Sequence, residues 1–154
     1  MIINLKRLVI SLLIPLATGG IAGLITGRAA GQYGELVKPP LSPPSWVFPV
    51  VWTVLYILMG VAFYLVWQSD MPAKKTAMRL YFIQLFMNFV WPILFFNFEA
   101  YGFSFIWLLV LWIMILLTTI SFFAADKRAG LLMLPYLIWT AFAGYLNLGV
   151  YILN

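Results

Sequence analysis

Five long apolar segments alternate with short polar connections along this sequence. Each segment has about 20 residues, the length at which an α-helix crosses the hydrocarbon core of a bilayer. Charged side chains lie at the ends of these segments or between them. The pattern predicts an all-α integral membrane protein, a bundle of five transmembrane helices in a single domain over residues 1–154. The predicted helices cover residues 8–26, 46–67, 78–98, 103–124 and 131–153.

The first apolar segment follows Lys6 and Arg7, as the apolar region of a signal peptide would. It is long for that role, and Gly19, Gly23 and Gly27 recur in it at four-residue spacing. Small residues at this spacing allow two helices to approach closely. We therefore expect a retained membrane helix, with these glycines in contact with a neighbouring helix.

The connection between the first two predicted helices is rich in proline, at Pro39, Pro40, Pro43 and Pro44. Proline fixes φ and lacks a backbone N–H donor, so such a run is stiff and extended rather than helical. We expect this proline-rich loop (residues 38–45) to lie over one end of the bundle.

Lysine and arginine are distributed unevenly between the two ends of the predicted bundle. Arg28 and Lys38 lie at the end that carries the proline-rich loop, and all the others lie at the opposite end. Because positive residues are enriched in cytoplasmic loops, we expect a cytoplasmic N-terminus, with the proline-rich loop and the C-terminus outside. The residues at the expected cytoplasmic end are Lys6, Arg7, Lys74, Lys75, Arg79, Lys127 and Arg128.

The composition narrows the chemistry that this chain can perform. Hydrophobic residues make up 65% of the chain and charged residues 8%, so the bundle must have lipid as its solvent. The net charge of +5 is too thinly spread to indicate nucleic-acid binding. Without cysteine or histidine there are no thiolate or imidazole ligands, and we expect no metal site and no required cofactor. No Asp, Glu, Lys, Arg or His side chain lies in the middle of a predicted helix, which argues against a proton-driven pump and a hydrolase.

Aromatic, small and amide side chains share one face on three predicted helices. In helix three, Gln84, Asn88 and Trp91 lie at positions i, i+4 and i+7. An unpaired amide in hydrocarbon costs several kcal/mol, so this face must point into the bundle. Two interpretations are open: hydrogen bonds that join helices, each worth about 1 kcal/mol, or an apolar pocket with a few polar anchors. The corresponding residues of helices two and five are Phe48, Trp52, Tyr56, Trp139, Ala143, Leu146 and Asn147.

Three segments on three predicted helices form an ordered set of motifs. They are KPPLSPPSWVFPVVWTVLY at residues 38–56, QLFMNFVWPILFF at 84–96 and PYLIWTAFAGYLN at 135–147. In this order they resemble motifs of the TspO/translocator protein family, whose members are also called tryptophan-rich sensory proteins or peripheral-type benzodiazepine receptors. With the pair Gly19–Gly20 in helix one, the resemblance covers the full length of the chain.

The resemblance implies a membrane receptor or sensor that binds porphyrins, such as protoporphyrin IX, and hydrophobic drug-like molecules. It implies a five-helix bundle, often a homodimer, with its pocket beneath the proline-rich loop and with membrane lipid around it. The pocket residues carried over by motif are Trp52, Tyr56, Asn88, Trp91, Trp139, Ala143, Leu146 and Asn147, with Phe103, Ile106 and Val110 aligned from helix four.

Two other functions are open for such a protein. Some bacterial members of the family degrade protoporphyrin IX in light and oxygen, and the tryptophans implicated there correspond to Trp52 and Trp139. A transporter of porphyrin or lipid is the third function, although no ion-coupling side chain lies inside a predicted helix. Gln32 and Leu41 stand where the family usually has tryptophan in the loop, so we expect an altered ligand affinity or selectivity.

Overall fold

The computed structural model describes residues 2–154, and five long helices account for most of them. All five helices are long and apolar enough to cross a membrane, and residues 2–154 contain no strand. The prediction of an all-α membrane bundle with five helices is therefore confirmed. The elements are α1 (Leu5–Ala30), a 3-10 turn (Gly31–Glu35), α2 (Val47–Gln68), α3 (Lys74–Pro92), a π-helical turn (Ile93–Asn97), α4 (Tyr101–Ala125) and α5 (Lys127–Leu153).

Most of the helices extend beyond the predicted segments, for example at the starts of α1 and α5. The side-chain oxygen of Asn4 accepts a hydrogen bond from the Arg7 N–H at 3.1 Å. In the same way, a carboxylate oxygen of Asp126 accepts one from the Arg128 N–H at 2.8 Å. Such caps satisfy backbone donors that are free in the first turn of a helix. Hydropathy locates the part of each helix that lies in lipid, whereas the polar caps of α1 and α5 mark where these two helices begin.

The α1 and α2 helices touch backbone to backbone in the N-terminal half of α1. A Cβ atom added at Gly60 would lie 2.8 Å from the Ser11 carbonyl oxygen and 2.9 Å from Leu12 Cα, so this approach requires glycine. On the other side of the bundle, α4 has its main neighbours in α3 and α5, and α5 also packs along α2. The α4 helix therefore lies at the side of the bundle opposite to α1.

An aromatic core fills the end of the bundle that is opposite to the proline-rich loop. The ring of Tyr81 stacks between Phe63 and Phe122, with ring centroids 4.8 Å and 5.7 Å away. These rings and Met133 are almost completely buried. Because they come from α2, α3, α4 and α5, these four helices are packed tightly here, and space for a ligand is left only toward the other end.

The proline-rich loop is attached to the C-terminal part of α5. Residues 36–46 contain no helix. The Tyr145 hydroxyl donates a hydrogen bond to the Pro40 carbonyl oxygen at 2.7 Å. Pro39 packs so closely on Gly149 that a Cβ atom at this glycine would overlap the proline ring. The chain therefore crosses from the end of α1 to α5 before it returns to begin α2.

Candidate functional site

A cavity of about 540 Å³ lies at the end of the bundle that carries the proline-rich loop. Its wall is formed by α1, α2, α3 and α5, together with the 3-10 turn, the π-helical turn and the end of the loop. The structure brings most of the predicted site residues together on this wall. They are Phe48, Trp52, Tyr56, Asn88, Trp91, Trp139, Ala143, Leu146 and Asn147.

The structure does not place the predicted residues of α4 on the cavity wall. Phe103, Ile106 and Val110 are about half exposed on the outer surface of the bundle, and the cavity wall in residues 2–154 includes none of them. The reason is the position of α4, which packs between α3 and α5 through the opposite face, where Leu108 and Leu111 are buried. In the membrane these three side chains face lipid.

A chain of hydrogen bonds forms the floor of the cavity. The Tyr56 hydroxyl donates to Asn88 Oδ1 at 2.7 Å, and Asn88 Nδ2 donates to the Tyr136 hydroxyl oxygen at 2.8 Å. The Tyr136 hydroxyl in turn donates to Gln84 Oε1 at 2.7 Å. Gln84 is completely buried one layer behind the wall, so it supports the floor rather than lining the pocket.

Tyr136 is a site residue that the sequence patterns did not single out. It joins α5 to α3 through the two amides of Asn88 and Gln84. A signal was present, because Tyr136 precedes Ala143 and Asn147 by seven and eleven residues and so lies on the same helical face. Extending the predicted stripe of α5 by one turn toward its N-terminus would have included this tyrosine.

Both polar atoms of the Asn147 amide form hydrogen bonds within the protein. Its Oδ1 accepts hydrogen bonds from Trp91 Nε1 at 3.0 Å and from the Ser104 hydroxyl at 3.1 Å. Its Nδ2 donates to the Tyr101 carbonyl oxygen at 2.8 Å. Asn147 thus ties α3 and α4 to α5 and fixes the orientation of the Trp91 indole. The two amides predicted on this wall, Asn88 and Asn147, both join helices, and the apolar cavity lies beside them.

The indole of Trp139 lines the cavity and carries an unpaired hydrogen-bond donor. Its Nε1 atom is buried, and no residue in the described range 2–154 accepts a hydrogen bond from it. The ring packs edge to face on Phe48 at 6.1 Å. Trp52 lies nearby, with ring centroids 5.7 Å from Tyr56 and 6.2 Å from Tyr136. Because a buried unpaired N–H is costly, a ligand atom that accepts this hydrogen bond would be stabilised here.

The glycines of α1 play two different parts. A Cβ atom at Gly19 would overlap the ring of Tyr56, so this glycine serves the expected close packing of helices. Gly20, Gly23 and Gly27 line the cavity instead. A Cβ atom added to any of them would meet nothing within 4 Å among residues 2–154, apart from its own helical turn. Within the bundle, Gly19 therefore serves helix packing, whereas Gly23 and Gly27 line the cavity.

Two cationic side chains stand near the loop end of the cavity. The Lys38 ammonium lies 5.0 Å from the ring centroid of Tyr33, which lines the cavity. Arg28 follows the cavity-lining Gly27 in the last turn of α1 and is exposed. An anionic group at this end of a ligand would be attracted by both charges.

Comparison with known proteins gives one consistent family. The model of the TspO/MBR family matches residues 11–153 of this chain. A tryptophan-rich protein TspO of Archaeoglobus fulgidus is 36% identical over 152 residues, which cover 98% of this chain and 99% of that protein. A tryptophan-rich sensory protein of Cereibacter sphaeroides is 38% identical over 79% of this chain and 76% of its own length. A translocator protein of Ovis aries is 37% identical over 84% of this chain and 79% of its own length.

Proposed function

Because this chain belongs to the TspO/MBR family of integral membrane proteins, we propose that it is a membrane receptor or sensor for porphyrins of the protoporphyrin IX type. Other hydrophobic, drug-like molecules would bind in the same cavity. The name of one relative, a tryptophan-rich sensory protein, supports a sensory function. No cofactor is required for this function.

The observation that carries the proposal is the aromatic wall with the unpaired donor of Trp139. A cavity of about 540 Å³ has the size of a small-molecule site. Its indole and phenyl rings suit a flat macrocycle, since aromatic rings gain from stacked and edge-on contacts. A ring nitrogen or carbonyl oxygen of the ligand would accept the hydrogen bond from Trp139 Nε1.

The charges near the loop end fit the carboxylates of a porphyrin. Lys38 and Arg28 would pair with the propionate groups, while the macrocycle lies on the apolar wall. The chain has no histidine or cysteine, so iron could not be held through imidazole or thiolate. A porphyrin without iron is therefore the better ligand for this cavity.

A titration with protoporphyrin IX in the dark tests this proposal. Saturable quenching of tryptophan fluorescence in detergent-purified protein is the expected result. Trp139→Phe keeps an aromatic ring but removes the donor, and it should weaken binding by about tenfold, the loss of about 1.4 kcal/mol. Trp112→Phe is the matched control, because its Nε1 donates to the Leu137 carbonyl oxygen outside the cavity. Without saturable quenching in the wild-type protein, the porphyrin assignment would be wrong.

Light-driven breakdown of protoporphyrin IX is the second candidate function. It is favoured by the presence of both Trp52 and Trp139 on one wall, where an indole can touch the bound macrocycle. In such a reaction the excited porphyrin passes one electron to dioxygen and regains one from an indole, which leaves superoxide and an indole radical. The indole radical would regain its electron from the macrocycle, and the resulting porphyrin radical cation would combine with superoxide by forming a carbon–oxygen bond.

Illumination of the porphyrin complex separates the two functions. Bleaching of the porphyrin absorption band that depends on the protein and on oxygen would support the enzyme. In that case Trp139→Phe, compared with wild type at equal porphyrin occupancy, should abolish bleaching. Stable absorption under light at full occupancy would leave the receptor function and exclude the enzymatic one.

The orientation of the bundle is proposed from its charges. The cationic residues concentrate at the end that carries the N-terminus, which favours a cytoplasmic position for that end and an outside position for the proline-rich loop. Because the chain has no cysteine, a thiol reagent labels only a cysteine that is introduced by substitution. Labelling therefore reports whether that one position is accessible. On intact cells, a maleimide that cannot cross membranes should label Ser42→Cys but not Lys75→Cys. The reverse pattern would invert the proposed topology.

A further inference from the structure

The space between α1 and α2 is closed at one end and open at the other. Toward the N-terminus of α1, Gly60 lets α2 touch the backbone at Ser11. One further contact follows, where the Tyr56 ring packs on Gly19. Beyond that point the two helices enclose the cavity between them, because α1 and α2 both contribute to its wall. The two helices therefore separate progressively toward the end that carries the proline-rich loop.

Exposed residues of both helices form the rim of this opening. Gly20, Gly23 and Gly27 on α1 and Pro49 and Thr53 on α2 line the cavity and are exposed. All of them lie within segments that are long and apolar enough to cross the membrane. A rim built from these segments lies at the depth of the bilayer, so the molecules available beside it are lipids.

The polar groups at the rim are satisfied within the protein. The Thr53 hydroxyl donates to the Pro49 carbonyl oxygen at 2.7 Å, and the Thr26 hydroxyl of the cavity wall donates to the Ala22 carbonyl oxygen at 2.9 Å. A molecule that passes these hydroxyls therefore does not need to form hydrogen bonds with them. Glycines opposite them add no side chain to the gap, so the opening suits an apolar chain.

The other approach to the cavity is obstructed. Tyr33 and Phe48 meet edge to face at 5.8 Å at the loop end of the wall. The proline-rich loop is held on α5 by the bond from Tyr145 to Pro40. Access from the membrane is therefore more direct than access from water.

We propose that the cavity opens sideways into the bilayer between α1 and α2, and that a phospholipid acyl chain binds in it through this opening. The occupant follows from the surroundings. Acyl chains are the solvent at the rim, the wall is apolar, and an apolar surface gains dispersion contacts when a chain fills the space beside it. Hydrophobic ligands enter by the same gap and displace the acyl chain. This second part of the proposal rests on the proposed function, because it requires a ligand that binds in the cavity.

Photolabelling with lipid tests the acyl-chain site without any porphyrin. Purified protein is placed in vesicles of phosphatidylcholine that carries a diazirine in one acyl chain, and adducts are located by mass spectrometry after illumination. We expect adducts on the cavity-facing Trp139 and Ala143 as well as on the outward-facing Ile138. Adducts restricted to Ile138 and other outward positions would overturn the proposal.

A substitution at the rim makes the test specific. Gly23→Phe places a ring where an added Cβ would meet nothing within 4 Å among residues 2–154 outside its own turn, so the fold should tolerate it. The adducts on Trp139 and Ala143 should fall by about tenfold, while those on Ile138 stay unchanged. The control is Leu24→Phe, at the adjacent and outward-facing position, which should leave all adducts unchanged. Undiminished cavity adducts in Gly23→Phe would show that the acyl chain enters elsewhere.

A cross-link across the gap tests the entry route. Gly23→Cys combined with Thr53→Cys provides the only two thiols of the chain, and a bifunctional thiol reagent would tie α1 to α2. If ligands enter here, the cross-link should slow protoporphyrin IX binding and release together by about tenfold, with little change in the dissociation constant. Unchanged rates in the cross-linked protein would refute the route. If the uncross-linked protein binds no porphyrin at all, the proposed function fails, whereas the photolabelling result still decides the acyl-chain site.

Discussion

The side-chain amide of Asn154 pairs with the main chain of Val37. Its Nδ2 donates to the Val37 carbonyl oxygen at 2.8 Å, and its Oδ1 accepts from the Val37 N–H at 3.1 Å. One side chain at the end of α5 thus engages both backbone groups of a residue that leads into the proline-rich loop. Together with the bond from Tyr145 to Pro40, this pairing fixes the loop relative to α5.

Asn154→Ala should loosen this segment. The substitution removes two hydrogen bonds to Val37, each worth about 1 kcal/mol or less at an exposed site. We expect amide hydrogen exchange at Val37 and in the proline-rich loop to accelerate by about tenfold. Leu153→Ala, at the adjacent exposed residue, is the control. Equal protection in Asn154→Ala and wild type would mean that the remaining contacts hold the loop by themselves.

Gln84 should contribute to stability through Tyr136. In Gln84→Leu the buried Tyr136 hydroxyl loses its acceptor, and an unpaired buried hydroxyl costs about 1–3 kcal/mol. Tyr136→Phe should also lower the free energy of unfolding, because Asn88 Nδ2 then loses its acceptor. Denaturation in one detergent would measure both changes.

The double variant separates this hydrogen bond from general damage to the core. When Gln84→Leu and Tyr136→Phe are combined, the hydroxyl that Gln84 satisfied is gone, so the destabilisation should be smaller than the sum of the single effects. Strictly additive losses would show that the two side chains are not coupled.

Acid should weaken the start of α5. The hydrogen bond from the Arg128 side chain holds the pKa of Asp126 below its ordinary value of 3.8. Because the folded pKa is lower than the unfolded one, the cap stabilises the helix above the unfolded pKa, and this contribution is lost as the pH falls through the folded pKa. We expect amide exchange in the first turn of α5 to increase in that range. Asp126→Asn should remove this pH dependence, and an identical acid response in that variant would assign it to another group.

The sequence was sufficient for the faces of α2, α3 and α5 that form the cavity. Asn88 and Trp91 lie on one face of α3 because of their helical spacing. An unpaired amide in lipid is costly, so this face must point into the bundle. The same reasoning could not distinguish the role of each amide. Whether Asn147 binds a ligand or the Trp91 indole depends on where α3 lies relative to α5, which is a matter of packing.

The position of α4 could not be read from its hydropathy. Lipid tails are as apolar as leucine, so the lipid-facing Ile106 and the buried Leu108 look alike in the sequence. The weak signal was polar: Ser104 and Thr118 are both buried, and they lie on the same helical face as Leu108. A small polar residue repeated on one face of an apolar helix marks the side that meets protein.

Gly19 and Gly20 are adjacent on α1 but have opposite surroundings, which gives a matched pair of substitutions. A methyl group at Gly19 would overlap the ring of Tyr56, whose hydroxyl is tied to Asn88. At Gly20 it would meet nothing within 4 Å in the described chain beyond its own turn. Alanine is favoured over glycine in a helix by about 1 kcal/mol, so Gly20→Ala should slightly raise the free energy of unfolding. Gly19→Ala should lower it by about 1–3 kcal/mol, the usual cost of overpacking. Thermal unfolding in one detergent compares the two, and equal shifts would mean that the Tyr56 ring can move away from α1 at no cost.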